Sequence, residues 1–214
     1  MREASLQSIY LSLISEATSR LSAARVFLAS FEASTSVPEL EAAVLQVRKA
    51  LELIALAAIA PDKKQYAAFR TQATDSPDFT KDYHAAKIFK ALSRVNKDFY
   101  PVSLLPATRC ADGTYHFDKK QSGYLTKKQF ESAYDRLGKH LHAHNPWSGN
   151  KNLQNLAADL PAVINKTFGL LELHVRFIQT PDFNGAWVIE ANYNSGAPRI
   201  LTAAATGPYA VTDS

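Results

Sequence analysis

The spacing of apolar residues over the first 60 positions constrains the fold of this chain more than any other feature. From residue 3 to about residue 33, apolar side chains recur every three or four positions, at Leu6, Tyr10, Leu13, Ala17, Leu21, Ala24, Leu28 and Phe31. The same spacing resumes after residues 34–38 and continues to Pro61, at Leu40, Val44, Val47, Leu51, Ile54 and Ala58. Because an α-helix has 3.6 residues per turn, both segments predict amphipathic helices. Two long helices joined by a short turn should pack antiparallel.

Three later segments also carry helical signals. The third predicted helix has its inward positions at Ala85, Ile88, Leu92, Val95 and Phe99. A fourth helix begins at Thr126, which forms the pattern of a capping box with Gln129, and it ends before Pro146. A fifth covers residues 150–168, where Pro161 predicts a kink or a division into two short helices because proline removes a helical hydrogen bond.

Strand patterns replace helical patterns after residue 168. In the segments LLELHVRFI and AWVIEANY every second residue is apolar, which is the period of a β-strand. A hairpin that pairs Phe177 with Ile189 would place the apolar residues of both strands on one face. The same register would set Arg176 opposite Glu190. Residues 199–202 predict a third strand.

A small hairpin is predicted earlier, where Asp112 and Gly113 form a turn signal between short β-prone runs in residues 103–118. The predicted fold is therefore α+β, mainly an α-helical bundle of four to five helices with a small C-terminal antiparallel β-sheet. We expect residues 1–168 to form the bundle, with the hairpin near 103–118 as an insertion. Residues 169–214 should form a β appendage that packs on the bundle.

Composition and cysteine usage narrow the class of protein. The single cysteine, Cys110, excludes an intrachain disulfide framework, and the N-terminal segment interrupts its apolar residues too often for a signal peptide. The longest apolar run, residues 50–60, contains Glu52 and is shorter than the roughly 20 residues that span a bilayer. We therefore expect a cytoplasmic protein without a membrane anchor. The formal net charge of +4 slightly favours anionic partners.

Arg136 and three histidines lie close together in the segment DRLGKHLHAHNPW, at the end of the fourth predicted helix: His140, His142 and His144. An imidazole can transfer a proton near neutral pH, and a guanidinium can stabilise the charge of a phosphorane. Cleavage of a phosphodiester by the ribose 2′-hydroxyl needs these two abilities. Gly138, which precedes His142 by about one turn, would let another helix or a second subunit approach closely.

This arrangement resembles the HEPN superfamily, in which an Arg is followed by four to six residues and then a His near the end of a late helix. Five residues separate Arg136 from His142. Active members of that superfamily are metal-independent ribonucleases that work as dimers, so the resemblance implies a homodimer that acts on RNA with no cofactor and no metal. It also implies that His142 is the general base and Arg136 the charge stabiliser. We add Asn145 as a residue that could orient either side chain.

Other interpretations of the cluster stay open. Leu137 follows Arg136 where active HEPN members usually have a polar residue, and a C-terminal sheet is not part of the common bundle. The chain could instead be a non-catalytic HEPN-like module that binds a protein or a nucleic acid, with histidines that only cap the helix. His140 and His144 are spaced to chelate zinc on one helix face, but no acidic or thiol ligand stands at motif spacing.

Two further charged groups are candidates for supporting roles. Arg48 and Glu52 are four residues apart, and they form either a structural ion pair between helices or a support behind the cleft of Arg136 and His142. A basic row on the outward side of the third helix could follow the phosphates of a nucleic acid, or could be a solvated helix face. Its members are Lys87, Lys90, Arg94 and Lys97.

Overall fold

The computed structural model of the chain describes residues 5–73, 77–143, 147, 152–191 and 198–204. Its first two helices, α1 (Leu6–Ser34) and α2 (Val37–Ala57), pack antiparallel along each other, as the sequence predicts. Thr35 ends α1 in a left-handed conformation with a φ of 55°. The apolar positions predicted for α2 are all buried, and in α1 only Leu6 and Leu13 are partly exposed. The apolar spacing therefore identified both helices and their buried faces.

Four more α-helices follow among the described residues: α3 (Lys63–Thr71), α4 (Ala85–Val95), α5 (Lys127–His140) and α6 (Leu153–Leu171). The sequence did not predict α3, because Tyr66 is its only buried residue and it has no apolar stripe. α6 continues through Pro161, so the predicted division into two helices is wrong. The capping box is confirmed, since the side chains of Thr126 and Gln129 each accept a hydrogen bond from the other residue's backbone N–H.

Helices α4 and α5 run antiparallel. His84, which directly precedes α4, contacts Tyr134 in the second half of α5. Further along α4, the ring of Phe89 lies on Phe130 of α5, with the ring centroids 4.6 Å apart. The N-terminal end of α4 therefore lies beside the second half of α5, which leads into His140 and His142.

A four-stranded antiparallel sheet has the order β1, β4, β5, β6, with β1 (Val102–Ser103), β4 (Leu173–Thr180), β5 (Phe183–Glu190) and β6 (Arg199–Ala204). The predicted hairpin is present as β2 (Thr108–Arg109) and β3 (Tyr115–His116), with Gly113 at a φ of 85° in its turn. The predicted third strand is confirmed as β6. The predicted α+β class, a helical bundle with a small antiparallel sheet, is confirmed as well.

The pairing of β4 with β5 differs from the predicted register by three residues. Arg176 lies opposite Trp187 and not opposite Glu190, and the predicted pairing of Phe177 with Ile189 is also wrong. The physical reason is the turn, because only two residues separate the paired ends of these strands, and so tight a turn fixes the register. Because side chains alternate along a strand, an odd shift exchanges the two faces of β5 relative to β4.

The inner face of the sheet consequently carries polar residues of β4 beside apolar residues of β5. His174 and Arg176 are fully buried there, opposite Ile189 and Trp187. The ring of Trp187 meets Tyr10 of α1 edge to face, with the centroids 6.0 Å apart. Helices and sheet thus share one hydrophobic core. In the described part of the chain, no helix combines the length and the apolar character that crossing a membrane requires.

Candidate functional site

Arg136 lies in a groove between α5 and α6. The groove has a volume of about 330 Å³, and Lys128 and Lys166 also line it. Arg136 Nη1 donates to Asp159 Oδ2 at 2.7 Å, so the guanidinium is held against α6 by a charged partner.

His142 lines a different groove, of about 340 Å³, which we call the His142 groove. Its other charged and polar lining residues are Arg48, His84, Tyr134, Asp135 and Lys139. Arg136 does not line this groove, so within the described residues of one chain the two predicted catalytic side chains occupy separate grooves. The guanidinium beside His142 is that of Arg48.

Gly138 is the reason that Arg48 reaches this position. A Cβ atom at residue 138 would collide with the Arg48 guanidinium, so the missing side chain makes room for it. Arg48 Nη1 donates to the backbone carbonyl of Tyr134 at 2.8 Å, and the guanidinium carbon lies 3.9 Å from the centre of the Tyr134 ring. The close approach expected at Gly138 is confirmed, and the approaching helix is α2.

Glu52 completes this contact between α2 and α5. Its Oε1 lies 3.4 Å from Arg48 Nε and accepts a hydrogen bond from the Tyr134 hydroxyl at 3.0 Å. Burial, followed by the charge of Glu52, raises the pKa of Tyr134 to about 12, so Tyr134 stays protonated and donates. The ion pair between Arg48 and Glu52 is present, and through Tyr134 it fixes one wall of the His142 groove.

His84 is a residue of this groove that the sequence analysis did not single out. It occupies the position directly before α4, and its ring meets Tyr134 edge to face with centroids 5.3 Å apart. Its Nδ1 is buried and has no hydrogen-bond partner within the described part of the chain. An unsatisfied buried nitrogen costs free energy, so His84 is held in this position at some expense of stability. The sequence could have indicated His84 through its spacing, because it precedes Lys87 by three residues and so continues the spacing of the basic row.

The basic row follows His84, a lining residue of the His142 groove, along the chain. Lys87, Lys90 and Arg94 extend from α4, Lys97 follows its C-terminal end, and all four residues are exposed. The spacing of Lys87, Lys90 and Arg94 keeps these three on one side of the helix, and His84 precedes Lys87 by the same spacing. Lys97 is not on the helix as the sequence predicted, because α4 ends at Val95 and Asn96 is extended. Lys139 of α5 is a further exposed cation at the groove itself. Exposed cations therefore lie at the groove, at Lys139, and three residues after His84, at Lys87.

A polar cluster that the sequence did not predict lies under the sheet, around His174. The imidazole Nδ1 lies 3.0 Å from the Leu171 carbonyl and must donate to it, so Nε2 accepts from the Tyr10 hydroxyl at 2.7 Å. Complete burial lowers the pKa of His174 to about 4, and the nearby charge of Arg176 adds to this. His174 is therefore neutral at physiological pH and joins β4 to α1.

Arg176 forms the second half of this cluster. Its Nη2 donates to Asp62 Oδ2 and to the Ala58 carbonyl, both at 3.3 Å, and its Nη1 donates to the Asp98 carbonyl at 3.3 Å. Asn96 donates to both carboxylate oxygens of Asp62. Burial raises the pKa of Asp62, while Arg176 and Asn96 act in the opposite direction. Because Arg176 and Asp62 are closed off from solvent, this cluster serves structure and not ligand binding.

Three residues of the segment DRLGKHLHAHNPW lie outside the described residues: His144, Asn145 and Pro146. Within the residues that are described, no group of three or more His, Cys, Asp or Glu side chains could hold a metal ion. Comparisons of the chain with protein-family models, with curated proteins and with solved structures gave no match. The described residues offer two features for a function of the kind the sequence predicts: the His142 groove and the basic row.

Proposed function

We propose that this chain is an RNA-associated protein of the HEPN-like type that cleaves RNA without a metal ion. One observation carries the proposal: the groove of His142 also holds a second imidazole, His84, and a guanidinium, Arg48. These are the groups that phosphodiester cleavage by a neighbouring hydroxyl requires. RNA fits better than DNA, because only RNA supplies a ribose 2′-hydroxyl as the nucleophile.

The basic row provides the binding surface for such a substrate. Exposed lysine and arginine side chains contact phosphates and release counterions, which gives affinity without sequence preference. The row continues from His84 along α4, so a strand bound along it would place one phosphate at the His142 groove. Lys139 adds a cation at the same place. Binding and chemistry are thus combined on one side of the molecule.

The proposed reaction is an internal transfer of the phosphoryl group. His142 removes the proton of the 2′-hydroxyl, the 2′-oxygen bonds to phosphorus, and the bond from phosphorus to the 5′-oxygen breaks. A protonated His84 gives its proton to the leaving 5′-oxygen, and Arg48 stabilises the charge on the phosphorane oxygens. The products are a 2′,3′-cyclic phosphate and a 5′-hydroxyl end.

The direct test is cleavage of a synthetic RNA in the presence of a chelator. We expect cleavage with a 2′,3′-cyclic phosphate product, and a loss of about 100-fold or more in rate for His142→Ala. His116→Ala is the matched control, because His116 is exposed on the hairpin, away from the groove. Cleavage that survives in His142→Ala, or no cleavage of varied RNA sequences by the native protein, would refute the proposal.

A homodimer offers a second arrangement, in which Arg136 of one subunit meets His142 of the other. Mixing Arg136→Ala with His142→Ala protein separates the two arrangements. In a mixed dimer with shared sites, one site carries both substitutions and the other carries none, so activity returns on mixing. If the site lies within one subunit, Arg136→Ala protein is active by itself, because Arg136 does not line the His142 groove, and mixing it with His142→Ala protein restores nothing further. If the site lies within one subunit, Arg48→Lys should lower the rate of RNA cleavage, because it keeps the positive charge but not the guanidinium.

The second candidate function is a non-catalytic HEPN-like module that binds RNA or a protein. The ion pairs of Arg136 with Asp159 and of Arg48 with Glu52 favour it, because a guanidinium already neutralised by a carboxylate is less suited to stabilise a phosphorane. This candidate predicts RNA binding by gel shift without any product. His142→Ala would leave that binding unchanged, whereas Lys87→Glu with Arg94→Glu would abolish it.

A further inference from the structure

The sheet carries a groove on the face that points away from the helices, which we call the outer groove. It has a volume of about 600 Å³ and lies between the hairpin and the strands β4 to β6. Both of its walls are apolar: Leu173, Val188 and Leu201 from the sheet, and Leu105, Tyr115 and Phe117 from the hairpin segment. Among the described residues, none lines both this groove and the His142 groove.

Large apolar side chains are exposed around the outer groove. Leu105, Tyr115 and Leu201 are 43%, 65% and 53% exposed. A single exposed apolar residue is ordinary, whereas three around one concavity form a continuous apolar surface in contact with water. An apolar ligand that displaces this water would be stabilised by the hydrophobic effect. The outer groove therefore has the physical character of a ligand site.

The charged residues of the outer groove neutralise each other. Lys120 Nζ lies 3.5 Å from Glu172 Oε2, and the guanidinium of Arg199 pairs with the carboxylate of Glu190. Glu190 and Arg199 lie opposite Leu173 at one end of the sheet's outer face, so polar groups are concentrated at that end. A charged ligand would have to break one of these ion pairs. An uncharged ligand with one polar group would instead hydrogen-bond to them.

We propose that the outer groove binds an uncharged, mainly apolar small molecule that carries one polar group. Its volume of about 600 Å³ falls within the roughly 300–1,000 Å³ of small-molecule sites. The sheet and the hairpin enclose a slot, which suits a small molecule better than the broader surface of a protein partner. RNA does not fit, because the cations of this groove are already paired. The proposal stands independently of RNA cleavage.

Two fluorescent probes with the same ring system test the proposal. N-phenyl-1-naphthylamine is uncharged, and 1-anilinonaphthalene-8-sulfonate adds a sulfonate to the same rings. In titrations of the full chain we expect saturable binding of the uncharged probe and about tenfold weaker binding of the sulfonate, since the sulfonate must disrupt an ion pair. No saturable binding of the uncharged probe would overturn the site, and equal or tighter binding of the sulfonate would overturn the ligand class.

Surface substitutions then locate the bound probe. Leu201→Lys and Leu105→Lys each put a long charged side chain into the outer groove at an exposed position, and each should weaken binding by about tenfold or more. Leu45→Lys is the matched control, because Leu45 is also an exposed leucine but lies on α2. Unchanged binding in both groove variants would place the probe elsewhere and overturn the proposal. Circular dichroism of the three variants verifies that they are folded.

Discussion

At the scale of single residues, the buried polar side chains of β4 have the largest predicted consequences for stability. His174 is neutral and fully buried, with both ring nitrogens hydrogen-bonded. Arg176 is fully buried with a charged partner, Asp62. Groups of this kind stabilise the fold only while their protonation states and partners are maintained. Substitution of either residue, or a change of pH, should therefore alter the free energy of unfolding measurably.

The first prediction concerns pH. The pKa of His174 falls to about 4 in the folded chain from an ordinary value of 6.5, so between these values the unfolded chain binds more protons. Stability contributed by the neutral imidazole is complete above about pH 6.5 and is lost as pH falls towards 4. Chemical denaturation at several pH values should show this loss, on the order of 3 kcal/mol. His174→Gln should flatten the dependence, and an equally steep dependence in that variant would contradict the assignment.

The second prediction concerns Arg176. Arg176→Met leaves the buried Asp62 carboxylate without its guanidinium, and we expect a loss of about 3–5 kcal/mol in the free energy of unfolding. Arg20→Met removes a surface ion pair with Glu16 and should cost no more than about 1 kcal/mol. Urea denaturation of both variants measures the difference. Similar losses in the two variants would show that the buried ion pair contributes no more to stability than the surface pair.

At the scale of elements, α5 separates two grooves. One side carries Arg136 towards α6, and the other carries Tyr134 and Gly138 towards α2. This division follows from helical geometry, because residues two positions apart point about 200° away from each other. The helix thus sets which guanidinium His142 meets within one chain.

The third prediction tests that arrangement through Gly138→Ala. The new methyl group displaces the Arg48 guanidinium and breaks its bond to the Tyr134 carbonyl. Alanine also favours the helix by about 1 kcal/mol, which offsets a lost hydrogen bond of about 1 kcal/mol. Thermal stability should therefore change little while RNA cleavage falls. Ser132→Ala, an exposed change in the same helix, should alter neither property, and unaffected cleavage in Gly138→Ala would exclude Arg48 from the reaction.

At the scale of the whole molecule, a modest net charge of +4 is unevenly distributed. The basic row lies along α4 and beyond its C-terminal end, and Lys139 lies at the His142 groove, whereas the cations of the outer groove are paired with carboxylates. The fold thus gives one surface suited to phosphates and another suited to uncharged ligands. The net charge of the chain does not by itself reveal either of these two surfaces.

The fourth prediction concerns the dependence of RNA affinity on salt. If Lys87 and Lys90 each contact a phosphate, replacing both by Ala should reduce the slope of log affinity against log salt by about 1.4, or about 0.7 per contact with a single strand. Lys64→Ala is the control, because Lys64 is exposed on α3 and pairs with Asp182. Filter binding at several salt concentrations measures the slopes. An unchanged slope in the double variant would mean that RNA does not follow the basic row.

The sequence by itself determined the features that depend on near neighbours along the chain. Five of the helices, the capping box at Thr126 and the turn at Gly113 could be predicted, because their signals lie within a few residues of each other. The short helix α3 escaped, since one buried side chain, Tyr66, gives no periodic signal. The space that Gly138 leaves for another helix was also predictable, although its occupant was not.

Only the tertiary structure decided which distant residues meet. Alternation in β4 shows that two faces exist but not which one is buried. The two-residue turn before β5 put Ile189 and Trp187 on the same face as His174 and Arg176, and the helices cover that face. The approach of α2 to α5 placed Arg48, rather than Arg136, beside His142. Such contacts depend on how whole elements pack, and packing is set by all of their buried surfaces together. No local pattern in the sequence specifies them.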